Sequence, residues 1–262
     1  MKLHRKMQFS QNNNKSSGID SNIAEIYKST FSHISQFLLK FFNPIFTSGD
    51  YPKSFGEGII VPVFKGGDVE DSKNYRGITL INIISKIYLQ ILLNRLTKWS
   101  IDNETLIDNQ FGFQKGKSTI SCNYILHSVI ARTLALKKKL YCCFIDYEKC
   151  FDKITRSHLF HKLITENVSS RFVRAIKSMY NAVKASVRYQ SELSPFFTSN
   201  IGIKQGDPSS SLMFLYYVND ILSNIDINID GICDINDAKL FYSFSLMMLL
   251  FLQKRHLLYN LC

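Results

Sequence analysis

Leu140-Tyr141-Cys142-Cys143-Phe144-Ile145-Asp146 decides the reading of this chain. Residues 140–145 are a continuous apolar run of the kind found in a strand buried on both faces, and the run stops at a carboxylate. Asp146 either opens a solvated loop or is a metal ligand held on a rigid element. Upstream, Lys137-Lys138-Lys139 closes a helical stretch, where cations complement the carbonyl end of the helix dipole. That helix follows the basic segment Phe113-Gln114-Lys115-Gly116-Lys117-Ser118-Thr119, in which the Ser118 or Thr119 hydroxyl is placed to cap the first turn. Downstream, residues 157–166 and 172–180 read as helices, and residues 184–189 and 196–203 as strands paired around a Glu192/Pro195 turn. Gly206-Asp207-Pro208 breaks the chain before a helix over 209–222.

Farther out, residues 23–42 carry apolar side chains at helical spacing, and residues 43–58, with two prolines and three glycines, read as a loop. The β-branched run Ile59–Phe64 ends at Lys65-Gly66-Gly67-Asp68, whose glycines supply the positive φ of a tight turn. From Thr79 onward Ile84, Ile87, Tyr88 and Ile91 follow helical spacing, so this region reads as strand, loop and long helix. Residues 11–17 are a polar, flexible lead-in, and the chain shows no internal repeat.

With 45% hydrophobic residues among 262, the composition excludes a wholly disordered or collagen-like chain. Thirty-two Lys and Arg against 21 Asp and Glu give a net charge of +11, a field that attracts nucleic acid or an anionic membrane surface. The longest apolar stretch, Phe244–Leu252, falls short of the roughly 20 residues a spanning helix needs, and the basic N-terminus has no apolar region after it. No membrane partner and an intracellular location are therefore expected. The 6 cysteines include no C-x-x-C pair, which points to thiols in a reducing compartment rather than a zinc site. His158 and His161 have ligand spacing on one helix face but lack a third ligand, so they read as surface or packing residues.

Taken in order, NNNKSSGID, VPVFKGGD with NYRGITL, QFGFQKGKSTI, FIDYEKCFD and GIKQGDPSSSLMF resemble the reverse transcriptase of non-LTR (LINE-type) retrotransposons over roughly residues 11–242. The resemblance implies an α+β fold: the fingers and an incomplete palm of a right-handed polymerase, an antiparallel palm sheet backed by helices, and no thumb. It divides the chain into a lead-in (1–22), a fingers-like region (23–139), a partial palm (140–242) and an aberrant hydrophobic tail (243–262). It implies an RNA-directed DNA polymerase that takes an RNA template, a DNA primer and dNTPs and uses Mg²⁺ or Mn²⁺. Such chemistry is mostly positioning and charge neutralisation around two cations held by carboxylates.

Residue by residue, Asp146 matches the family's first metal-binding aspartate. Phe151 matches the gate that checks the nucleotide sugar, or is an ordinary core phenylalanine. Asp152 is expected to cap or pair locally. Gln205 and Gly206 match the nucleotide-contacting loop, although Ser211 stands where the family usually has proline. Lys65 and Arg76 match basic residues that clamp triphosphate, or are solvated surface cations. Lys115 and Lys117 are expected on the template backbone, with Phe111 and Phe113 stacking on bases or filling core.

The family's next block is an aromatic or Leu residue followed by Ala-Asp-Asp on a hairpin, and here that place reads Leu240-Phe241-Tyr242-Ser243-Phe244-Ser245-Leu246-Met247-Met248, without a carboxylate. Methionine has the single codon ATG, so Met247-Met248 is ATGATG, and regrouping it across the join gives GAT, an aspartate codon. If the Leu246 codon ends in G, the shifted text reads Asp-Asp, and Ser245 can supply the Ala before it. A frameshift near Tyr242 is therefore expected to have replaced the hairpin and disabled the enzyme. The competing reading is a genuine hydrophobic C-terminal helix.

Overall fold

The computed structural model describes residues 13–106, 110–114, 116–138, 141–147, 149–181, 183–220, 234–235, 238–239, 241–243 and 247–252, with residues 141–146 and those after 220 described by backbone alone. In chain order the elements are α1 (Ala24–Ser48), α2 (Lys53–Gly56), β1 (Glu57–Phe64), β2 (Tyr75–Ile81), α3 (Ile83–Asp102), α4 (Thr119–Ala135), β3 (Tyr141–Asp146), α5 (Arg156–Thr165), α6 (Ser170–Asn181), β4 (Lys184–Tyr189), β5 (Glu192–Leu193), β6 (Phe197–Thr198), α7 (Ser210–Val218), β7 (Asp234–Ile235), β8 (Ala238–Lys239), β9 (Phe241–Ser243) and β10 (Met247–Leu252). The chain forms two compact units, one from the residues up to Asp102 with Phe151–Phe214, the other from Asn103–Cys150 with the residues from Leu215 on.

In the first unit, α1, α3 and α6 supply the core. Phe172, Val173, Ile176, Met179 and Tyr180 recur at helical spacing on α6 and are buried, as are Leu38, Leu39, Phe42, Ile45 and Phe46 of α1. Phe42 packs 5.3 Å from Tyr88 of α3, and Phe46 sits 6.3 Å from Phe172. Each such side chain contributes about 1.5–3 kcal/mol on leaving water. The sheet runs β2-β1-β4-β5, with β6 also paired to β4. It is mixed, because β1 pairs antiparallel with β2 and parallel with β4. The antiparallel pattern expected from the resemblance therefore does not extend to this sheet. Pairing with β4 covers only Glu57–Ile60, so among the described residues Pro62 falls where that edge of β1 has no neighbour and no ladder bond is lost to it.

Two readings from sequence change here. Helix α1 runs through Pro44 to Gly49, which ends it with φ 80° and a bond from its N–H to Ile45 O. The proline removes the N–H that would bond Lys40 O, and beside that disturbed turn the Asn43 amide donates 2.8 Å to Leu39 O. Tyr75–Ile81, read as loop and helix start, is a full strand in register with β1 from Phe64↔Tyr75 to Gly58↔Ile81.

In the second unit, α4 starts as expected, with Ser118 Oγ accepting from Ser121 N at 3.1 Å, and buries Cys122, Val129 and Thr133. Strand β3 ends on Asp146 and pairs antiparallel with β10, which in turn pairs antiparallel with β9. Met247–Leu252 is thus strand and not the alternative helix, because its backbone groups complete the β3 ladder. Residues 253–262 of the expected tail lie outside the described residues. No helix among the described residues is long and apolar enough to cross a membrane.

Candidate functional site

Lys65 and Arg76 flank the loop end of the β1–β2 hairpin. Both are exposed; Lys65 N donates 2.8 Å to Asn74 O, and Arg76 stands opposite Val63. The intervening loop is braced from within. Asn74 Nδ2 reaches Asp68 O at 2.8 Å, Asp71 Oδ1 accepts from Lys73 N at 2.9 Å, and Tyr75 Oη donates 2.9 Å to Val69 O.

Gln205 and Gly206 form a turn docked on the same strand. Thr79 N donates 2.6 Å to Gln205 O. Gly206 has φ +112°, and a Cβ there would stand 2.5 Å from Thr79 O, so only glycine permits this approach. On the other side the Gln205 amide donates 2.9 Å to Asp152 Oδ1. Asp152 therefore pairs with a residue 53 positions away, not locally as expected. The chain before the turn is zipped to residues 151–154, with Ile203 N on Phe151 O at 2.8 Å and Gly202 N on Ile154 O at 2.9 Å. Phe151 is half-buried, its ring 5.3 Å from that of Phe214.

Three residues that the sequence reading missed hold this turn. Arg156 donates to Gly202 O (2.7 Å), Ser199 O (2.7 Å), Ile201 O (3.1 Å) and Tyr180 O (3.2 Å) while lying over the Tyr180 ring. Burial lowers its pKa from the ordinary arginine value. Asp207 is buried in the turn that leads into α7, accepting from Ser209 N at 2.7 Å and Ser209 Oγ at 2.8 Å; burial nevertheless raises its carboxyl above the ordinary value. Lys204 Nζ donates 2.6 Å to Gly56 O, and burial lowers the ammonium to about 8. Their bonds run to backbone groups of distant segments or to Ser209, and the Gly-Asp-Pro break at 206–208 was the only signal in the sequence.

Asp146, Lys115 and Lys117 belong to the second unit. Lys117 is half-buried, its ammonium 5.6 Å from the Phe111 ring centroid, whereas Phe113 is exposed; Lys115 lies outside the described residues. Asp146 has Met247 as its register partner across the β3–β10 pair, and Met248 stands opposite Ser243 of β9. The residues between β9 and β10 are Phe244, Ser245 and Leu246, which lie outside the described residues and include no carboxylate. Among the described residues no three His, Cys, Asp or Glu side chains gather in a way that could hold a metal. The described side chains therefore form no two-cation cradle.

The sequence profile of the reverse transcriptase (RNA-dependent DNA polymerase) family matches residues 65–244, more than half of the chain. The chain belongs to the reverse transcriptase family. Among its relatives, a probable RNA-directed DNA polymerase from transposon BS of Drosophila melanogaster is 26% identical over 208 residues, covering 79% of this chain and 23% of the relative. The corresponding protein of transposon X-element from the same organism is 27% identical over 215 residues, covering 80% of this chain and 23% of the relative. The chain thus spans about a quarter of the length of these reverse transcriptases. Telomerase from Candida tropicalis, solved in complex with a TWJ fragment of telomeric RNA, superposes with a TM-score of 0.55 at 12% identity, over 93% of this chain and 43% of that one, which establishes a shared fold. The motif resemblance to non-LTR retrotransposon enzymes is borne out by these relatives.

Proposed function

We propose that this chain is the fingers and partial palm of a retrotransposon reverse transcriptase whose polymerising turnover has been lost at the β9–β10 hairpin. Fingers over 23–139, palm over 140–242 and an aberrant tail over 243–262 are the division this reading takes. In the ancestral reaction Lys65 and Arg76 bind triphosphate oxygens, Gln205 and Gly206 face the nucleotide, Phe151 excludes the 2′ hydroxyl, and Lys115 and Lys117 follow the template backbone. Divalent cations supply the charge neutralisation for that chemistry in the family.

One observation carries the loss: Met247 stands opposite Asp146, on the hairpin where the family places its aspartate pair. Removing one member of such a unit costs orders of magnitude in rate. RNA binding survives in this reading because it depends on the +11 field and the fingers rather than on Asp146. Primer extension on an RNA template with Mg²⁺ or Mn²⁺ tests the proposal. No dNTP incorporation, together with RNA binding that weakens as salt rises, is expected. Incorporation that disappears in Asp146→Asn would overturn it. The nucleotide sequence around Tyr242 tests the frameshift separately, and a third base other than G in the Leu246 codon rejects it.

A further inference from the structure

Lys204 and Asp207 bracket the Gln205–Gly206 turn, and both line a cavity of about 10 Å³ with Tyr51, Ser85 and Tyr180. That volume matches a single water. Purely apolar voids stay dry; this wall is mixed, with Phe55, Ile81, Leu89 and Met179 beside those polar side chains. Tyr51 Oη and Ser85 Oγ satisfy each other at 2.6 Å. The Tyr180 hydroxyl is buried without a hydrogen-bond partner among the described residues. Lys204 carries three N–H donors and places one on Gly56 O. Both hydrogen bonds to the Asp207 carboxylate fall on Oδ1, from Ser209. A buried hydroxyl, an under-used ammonium and a half-used carboxylate around one water-sized space form a donor and acceptor set that a bridging molecule completes.

We propose that this cavity is a hydration site in which one internal water bridges Tyr180, Lys204 and Asp207 and anchors the turn that presents Gln205 and Gly206. The turn is then held on two sides, by Thr79 N on Gln205 O outside and by the water within. The site requires no turnover, so the primer-extension result leaves it standing or falling by its own test.

Tyr180→Phe keeps the ring over which Arg156 lies and removes only the hydroxyl. If the water is present, the variant loses a partner of that water: the melting temperature falls by several degrees, and hydrogen exchange at the Thr79 amide accelerates more than at core amides of α3. If the hydroxyl is orphaned, its removal leaves the melting temperature unchanged or raises it, with Thr79 exchange unaltered, and the proposal is wrong. A crystal structure of the unmodified chain, at a resolution that shows ordered water elsewhere, gives a second arm independent of the variant's folding. Density within hydrogen-bond distance of the three side chains supports the site; an empty cavity, or Lys204 closing directly on Asp207, overturns it.

Discussion

The Gln205–Gly206 turn and the β9–β10 hairpin both face the nucleotide in the function proposed above, yet they are held in opposite ways. The turn depends on side chains: Arg156 and Asp152 reach it or its flank from separate segments, Lys204 and Asp207 beside it bond to Gly56 and Ser209, and Gly206 admits no Cβ. The hairpin is held by its main-chain ladder, which runs from Met247↔Asp146 to Leu252↔Tyr141 with apolar residues throughout β10. A ladder of N–H and C=O groups is indifferent to whether a carboxylate or a thioether hangs from it, provided β-propensity is kept. Chemistry can therefore be erased from the hairpin without erasing its fold, whereas the turn cannot lose its polar residues and keep its shape.

The sharpest way to break this contrast is to put the charge back. Leu246→Asp with Met247→Asp is expected to create Mn²⁺ binding, seen by calorimetry or spin resonance, at least tenfold tighter than in the unaltered chain, and adding Asp146→Asn should abolish it. Failure to gain binding would mean that the ladder does not preserve the site. In the turn, Arg156→Met should lower unfolding stability by about 3 kcal/mol in denaturant titration, because several carbonyls lose a charged donor together. A loss below about 1 kcal/mol would show that the turn, like the hairpin, stands on its backbone.

The smallest effect is a pH dependence. Lys204 titrates at 10.5 when free and at about 8 in the folded protein, chiefly through burial. Below pH 8 both states are protonated and the fold carries the cost of a buried charge. Between 8 and 10.5 the unfolded chain binds more protons, so stability rises with pH. Tyr51 and Tyr180, raised by burial, reverse the trend above pH 10, where the unfolded tyrosines ionise first. A gain of roughly 1–2 kcal/mol from pH 8 to 10 is expected. The gain should be absent in Lys204→Met, as followed by thermal unfolding in matched buffers.

What could be read from the sequence followed the range of the forces involved. Strand β3 and its terminal Asp146, the Ser118 cap and the α6 stripe are written in neighbouring residues, and each was legible. Strand β2 was missed because its order comes from pairing with β1 and from Gln205, 126 positions beyond Thr79. Pro44 misled because a local breaker signal is overridden by the burial of Leu38, Leu39, Phe42, Ile45 and Phe46 on both sides of it, which no local rule counts. Of the candidate site, residue types were legible through family motifs, but the Asp152–Gln205 bond and the Arg156 clamp connect distant segments and leave no local pattern.

Pro62 has one more consequence. Among the described residues no strand pairs with the rim of β1 beyond Ile60, and an unpaired rim is a template on which molecules stack edge to edge. A proline part-way along that rim interrupts the row of docking points, so a second molecule approaching it meets an incomplete ladder and aggregation through this edge is discouraged.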